Sequence, residues 1–197
     1  MKKNRTAKEH RVTKETNIDL SLNLDGQGRY KVSTSLPFMD HMLELFSKHS
    51  LIDLNVKASG DTHIDAHHLV EDIGITLGLA LSKALGDKKG IQRYGFFLLP
   101  MDEALSYVTL DLSGRAHIEY GADGVKPNWT TFDMDLLEDF FRALGNAARM
   151  NLHIQLLKGR NNHHMAESMF KAFGKALSMA VAKDKRYKGI PSTKGSL

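Results

Sequence analysis

Positions 11–24 alternate polar and apolar residues, a period of two that predicts an extended strand with one buried face. Asp25-Gly26-Gln27-Gly28 predicts a hairpin turn, and positions 30–36 the returning strand. Pro37 breaks that strand, and positions 38–49 change to the period of a helix. A strand over 51–58, a turn at Ser59-Gly60-Asp61 and a long helix over about 66–85 follow. The same order then returns: strands over 94–99, 105–112 and 116–120, a helix over 133–148, a strand over 152–157 and a helix over about 162–182. Pro191-Ser192-Thr193-Lys194-Gly195 lies in the closing tail. Sheet faces need cover, so the helices should pack between or against two antiparallel-rich sheets, an α+β arrangement.

The repetition extends to individual residues. His67, His68 and Glu71 form a His-His-x-x-Glu pattern, and His163, His164 and Glu167 form a second, each residue displaced by 96. The same displacement carries Gly78, Ala80, Leu81, Ser82 and Ala84 onto Gly174, Ala176, Leu177, Ser178 and Ala180. It carries Asp65 onto Asn161, and both types cap helix N-termini well. One such cluster is a common accident of a surface helix; two at one spacing on matching helices indicate an internal duplication. The chain therefore reads as one domain over 1–197, built from pseudo-repeats of about 1–90 and 91–197.

Helix geometry constrains what each cluster does. Residues four apart share a face, whereas neighbours point about 100° apart. His67 and Glu71 are thus placed to grip one ion, and His163 and Glu167 another. His68 and His164 point elsewhere. If the halves pack about a pseudo-two-fold axis, His68 reaches the ion of His163 and Glu167, and His164 that of His67 and Glu71. The repeats meeting at a site could belong to one chain or to two. Imidazole and carboxylate without thiolate suit Mn, Fe, Co, Ni or Zn.

Composition narrows the setting. Of the 197 residues, 42% are hydrophobic and 25% charged, as in an ordinary globular protein. A net charge of +4 is too small and dispersed to indicate nucleic acid. Without cysteine there is neither a disulfide framework nor a thiolate metal site, which fits a cytoplasmic location. The polar, basic start at 1–11 is not a signal peptide, and no apolar run is long enough for a membrane span.

Several stretches together carry a resemblance. They are Leu36-Pro-Phe-Met-Asp-His41-Met-Leu-Glu-Leu-Phe46, Asp65-Ala-His-His-Leu-Val-Glu-Asp72 and His163-His-Met-Ala-Glu-Ser-Met-Phe-Lys171. Asp102-Glu-Ala-Leu105, Ser113-Gly-Arg115 and the 191–195 tail complete the set. In this order, along essentially the whole chain, the sequence resembles the imidazoleglycerol-phosphate dehydratase family of histidine biosynthesis. The resemblance implies a four-helix layer packed with two four-stranded sheets. It implies a lyase acting on a small phosphorylated imidazole, with two Mn2+ per active site and no flavin, nicotinamide or pyridoxal. It also implies a closed homo-oligomer, a twenty-four-subunit shell with sites at subunit interfaces.

Carried over residue by residue, the resemblance gives one manganese His41, His68, His163 and Glu167. The other receives His67, Glu71, His164 and a residue that is often His in relatives; here that position is Asp139, aligned with His41. Asp139 is either an oxygen ligand, which manganese accepts, or an exposed helix carboxylate. Glu15 matches the family's general acid/base, although by itself it reads as a strand carboxylate beside Lys14. Arg93, Arg115, Lys171, Ser192, Thr193 and Lys194 fall at phosphate or substrate positions. Asp102 and Glu103 are alternative proton carriers or members of a strand-end turn, and His10, His49, His63, His117 and His153 lack repeat partners. The implied chemistry expels a hydroxyl through the substrate's own azole, by way of imidazolate and diazafulvene-like forms. A dinuclear hydrolase and a non-catalytic, metal-joined assembly are the other readings of the same ligands.

Overall fold

The computed structural model describes residues 5–122 and 132–197; the expectation about the basic start lies partly outside them, at 1–4. The first half contains β1 (Thr6–Val12), β2 (Thr16–Asn23), β3 (Tyr30–Ser33), α1 (Pro37–Ser50), β4 (Asp53–Gly60) and α2 (His67–Leu85). The second contains β5 (Tyr94–Met101), β6 (Ala104–Asp111), β7 (His117–Gly121), α3 (Leu136–Ala148), β8 (Asn151–Lys158) and α4 (Asn162–Val181). The sheets run β1-β2-β4-β3 and β5-β6-β8-β7, the same order twice. The fold is α+β with duplicated halves: four helices and two four-stranded sheets. Among the described residues no helix is long and apolar enough to cross a membrane.

Two local expectations change. The alternating run at 11–24 is not one strand but the end of β1, a tight turn and β2, paired antiparallel. Thr13 closes the turn: its Oγ1 accepts the backbone N–H groups of Glu15 and Thr16 at 3.0 and 2.9 Å. A side-chain hydroxyl replaces strand pairing there, so Glu15 sits in the turn rather than on a strand. The turn at 25–28 is also not a hairpin, because β4 inserts between β2 and β3. β3 instead runs parallel to β4, and a parallel neighbour requires a crossover, here α1. Asp53 at the head of β4 holds the turn. It accepts the backbone N–H groups of Gln27 and Arg29 at 2.8 and 3.0 Å and the Arg29 guanidinium at 2.6 Å. The guanidinium, above all, holds the Asp53 carboxyl well below the usual carboxylate range.

The helices cover the inner sheet faces with matching residues. α1 buries Met39, Met42, Leu43 and Phe46; 98 residues on, α3 buries Leu137, Phe140, Phe141 and Leu144. Each of these two helices packs on the long helix of the other half, α1 on α4 and α3 on α2. The long helices lie on their own sheets, α2 over β1 and β2, α4 over β5 and β6. One continuous core therefore runs through both halves. At the crossings the backbones come close. A Cβ added at Gly78 would lie 2.5 Å from the Leu144 carbonyl, and one at Gly174 3.0 Å from that of Phe46. Glycine permits this approach because nothing projects from its Cα. α1 and α3 both end on a left-handed residue that is not glycine, Leu51 (φ 62°) and Arg149 (φ 54°).

The crossing makes a direct prediction. Gly78→Val should destabilise the protein by roughly 1–3 kcal/mol in urea unfolding, the usual effect of overpacking. Unchanged stability would show that the two backbones are not in contact there.

Candidate metal centre and substrate site

The duplicated turn motif opens both long helices. Asp65 Oδ1 accepts the His67 backbone N–H at 2.8 Å, and Asn161 Oδ1 accepts that of His163 at 2.9 Å. Asn161 is the N-cap of α4, whereas Ala66 occupies that position in α2 and Asp65 bonds from one residue earlier. The capped first turns present His67 and His68, and His163 and His164, at equivalent places.

The α1–α4 pair assembles the tightest group. His41 Nε2 and His163 Nε2 lie 2.9 and 3.0 Å from the same carboxylate oxygen, Glu167 Oε1. His41 comes from the first half and the other two from the second. Lys171, one turn along α4, donates to Oε2 of the same carboxylate. Glu167 is buried. Burial pushes its carboxyl upward, but the hydrogen bonds from Lys171, His41 and His163 outweigh that and hold it at about 2. Two imidazole nitrogens and a carboxylate oxygen mutually within 4.8 Å form a borderline-hard donor set.

The α2–α3 pair makes the related but looser arrangement. His67 Nδ1 lies 3.2 Å from Asp139 Oδ2, whereas the His41 ring stands beside that of His163, centroids 5.3 Å apart, and bonds Glu167 instead. Glu71 is half-buried one turn beyond His67.

The second imidazole of each cluster points away, as helix geometry requires. His68 Nδ1 bonds Asp61 Oδ2 at 2.9 Å and lies 3.8 Å from Glu15 Oε2. His164 Nδ1 bonds Glu103 Oε2 at 2.8 Å. These bonds raise both imidazole pKa values; the His68 bond lowers that of Asp61, and the His164 bond helps hold Glu103 at about 2. A carboxylate on Nδ1 fixes the ring and leaves Nε2 for an ion, a common arrangement around metal-ligating histidine. The sequence places Asp61 in a turn and offers Glu103 as an alternative proton carrier or a strand-end turn residue; neither has a spacing that marks it as a histidine partner, because each meets its imidazole through the folded packing. Within one chain His68 joins Glu15 and Asp61, and it belongs to no described group with His163 and Glu167.

The phosphate candidates divide. Arg93, Ser192 and Thr193 line one cleft of about 440 Å³ with Tyr94, Tyr187 and Pro191. The Arg93 guanidinium is bidentate to Asp111 at 2.7 and 3.0 Å and donates to the Pro191 carbonyl at 2.8 Å. It therefore fixes the tail that carries Ser192, Thr193 and Lys194. Lys194 is exposed on that tail, Arg115 is exposed in the β6–β7 loop, and neither lines the cleft. Lys171 is committed to Glu167. A larger depression of about 860 Å³ crosses the outer face of the first sheet, past Lys8, Lys31 and Lys57, and holds none of the cluster residues. His10, His49, His63, His117 and His153 lie outside both three-residue groups.

Comparison with known proteins decides the kinship. Residues 34–177 match the family model described as imidazoleglycerol-phosphate dehydratase. The chain belongs to the imidazoleglycerol-phosphate dehydratase family. By that membership it is an enzyme of the hydro-lyase class. The dehydratase of Endomicrobium trichonymphae is 60% identical over 195 residues, 99% of this chain and all of that protein. That of Desulforamulus reducens is 56% identical, covering 98% of this chain and 99% of the relative. The fold agrees as well. The crystal structure of imidazoleglycerol-phosphate dehydratase from Staphylococcus aureus superposes with a TM-score of 0.82 at 40% identity, over 91% of this chain and 99% of that one. The Pyrococcus furiosus enzyme, crystallised with (S)-C348, gives 0.83 at 35% identity, over 96% of this chain and all of its own.

The Glu167 carboxylate predicts an acid-side stability effect in this dehydratase. Its folded pKa is depressed, so its contribution is complete above the ordinary value of 4.5 and is lost as pH falls towards 2. In chelator, Glu167→Gln should melt below the parent at pH 6, and the gap should close between pH 4.5 and 2. A gap that widens on acidification would contradict the pairing with Lys171, His41 and His163.

Proposed function

We propose that this protein dehydrates imidazoleglycerol phosphate to imidazole-acetol phosphate in histidine biosynthesis. In the same reading it works in the cytoplasm as a closed homo-oligomer with two divalent manganese ions per active site. The observation that carries it is the convergence of His41, His163 and Glu167, drawn from both halves onto one point. That donor set suits a hard-to-borderline divalent ion.

His41, His163 and Glu167 would hold one ion. His67, Glu71 and Asp139 would hold the other. His68 and His164 would complete these sets across contacts between copies, which accords with their turning away from their own neighbours. Carboxylates on Nδ1 of both rings support this role by presenting Nε2 outward. When bound, manganese supplies Lewis acidity to the substrate's azole ring and templates its orientation.

The remaining work falls to the chain. Glu15 Oε2 faces His68 from the β1–β2 turn, exposed and ready to exchange a proton with a substrate carbon held over the imidazoles. Arg93 orders the 191–195 tail, and Ser192, Thr193 and Lys194 offer hydroxyl, backbone and ammonium donors to phosphate. Arg115 would add a further cation for the same group, and Lys171 another once its Glu167 carboxylate is taken up by a bound ion.

Two experiments test the reading. Glu15→Gln should retain manganese and assembly but lose at least about 100-fold in kcat, the usual scale of general acid/base catalysis. Full turnover in that variant, followed by the absorbance of the keto product, would exclude Glu15. Removal of manganese with a chelator should shift the particle to a smaller size by light scattering, and re-addition should reverse it. Constant size throughout would separate metal binding from assembly.

A further inference from the structure

Below Glu15 lies a buried charged group that the mechanism above does not use. Asp72 sits on α2 one turn beyond His68, on the same helix face. It is only 6% exposed. Its Oδ1 accepts from Arg11 Nε at 2.8 Å and lies 2.7 Å from Arg11 Nη2 as an ion pair, and its Oδ2 accepts from Thr16 Oγ1 at 2.5 Å. Arg11 is at the end of β1 and Thr16 at the start of β2, so one carboxylate spans the two strand ends that flank Glu15.

The turn itself is held on its other sides. Thr13 Oγ1 accepts from the Glu15 and Thr16 amides, and the Thr13 amide donates to the Thr16 carbonyl at 2.9 Å. The Glu15 carbonyl accepts from the Asp61 amide at 3.1 Å, at the end of β4. Asp61 in turn bonds His68. A closed circuit therefore runs from His68 down α2 to Asp72, across to Thr16, around the turn to Glu15, and back through Asp61.

The duplication supplies an internal control. The position 96 residues beyond Asp72 is Ser168. Ser168 Oγ meets Ser106 Oγ on β6 at 2.5 Å, two neutral hydroxyls between long helix and sheet, on the strand position that matches Ile18 rather than Thr16. The second half thus carries a neutral group at the helix position of Asp72. Placing a carboxylate there carries a desolvation cost that pairing only partly offsets, so packing alone does not account for Asp72.

We propose that Asp72, through Thr16 and Arg11, is a positioning residue that sets the height of Glu15 above the His68 end of α2. This rests on the reading of Glu15 as the proton carrier. Because Asp72 and His68 ride on one helix, the acid/base and a candidate metal ligand keep a constant separation while the surface around them moves. A displacement on the order of 1 Å at such a group lowers turnover about 100-fold.

The test uses the assembled, manganese-loaded enzyme. Thr16→Val keeps the shape and removes the hydroxyl; Thr16→Ser restores it. Thr16→Val should lower kcat by roughly 10–100-fold, with KM, manganese content and particle size within about twofold of the parent. Amide hydrogen exchange at Glu15, Thr16 and Asp61 should accelerate in that variant. Thr16→Ser should recover both turnover and protection, and Glu15→Gln/Thr16→Val should be no slower than Glu15→Gln alone. Parental kcat in Thr16→Val, with Glu15→Gln inactive, overturns the inference. So does a fall in kcat that merely tracks lost folded protein while exchange at the turn in the folded enzyme stays as in the parent. An active Glu15→Gln instead overturns the role of Glu15 itself, and the two failures are thereby told apart.

Discussion

Two helix crossings organise this molecule, and each joins one half of the chain to the other. α3 crosses α2 at Gly78 and α1 crosses α4 at Gly174, where the backbones approach too closely for a side chain. The chemistry inherits this exchange. His41 reaches Glu167 because α1 lies on α4, and Asp139 reaches His67 because α3 lies on α2. Without these crossings His163 and Glu167 would still share a helix face, but His41 would not reach Glu167 and Asp139 would not reach His67. The core shares this exchange where Phe46 of α1 stacks on Phe173 of α4, while Phe140 of α3 stacks on Phe170 within the second half.

Much of this was legible in the residues. The displacement by 96 identified both long helices and the candidate ligands on them, because a helix preserves its own face whatever surrounds it. The strand and helix order survived for the same reason: period two and period 3.6 are local properties. The position aligned with His41 led to Asp139, which lies against His67.

What stayed hidden depends on contacts between distant segments. Nothing between Asp25 and Leu36 records that β4 will enter between β2 and β3; the register is settled by Asp53, more than twenty residues away from the turn it clamps. Positions 13–17 are all polar and interrupt the alternation, but nothing in them alone shows that the Thr13 and Thr16 side chains close a turn there. Asp61 and Glu103 were invisible as partners of His68 and His164 because one comes from the segment just before α2 and the other from a β-turn some sixty residues before α4. The repeats have diverged at this point. The equivalence drops from 98 residues in β4 and β8 to 96 in the long helices, so the connection before α4 is shorter and a different carboxylate takes the imidazole.

The exchanged helices bear on where such a chain came from. α1 of the first half covers α4 of the second, and α3 of the second covers α2 of the first, so a lone half would leave its long helix bare along one flank. A single half would therefore need a second, identical half to lend it a short helix. Fusion of the two genes would have removed the concentration dependence of that encounter. It also freed the two copies to drift apart, which is how one could keep a histidine where the other now carries an aspartate.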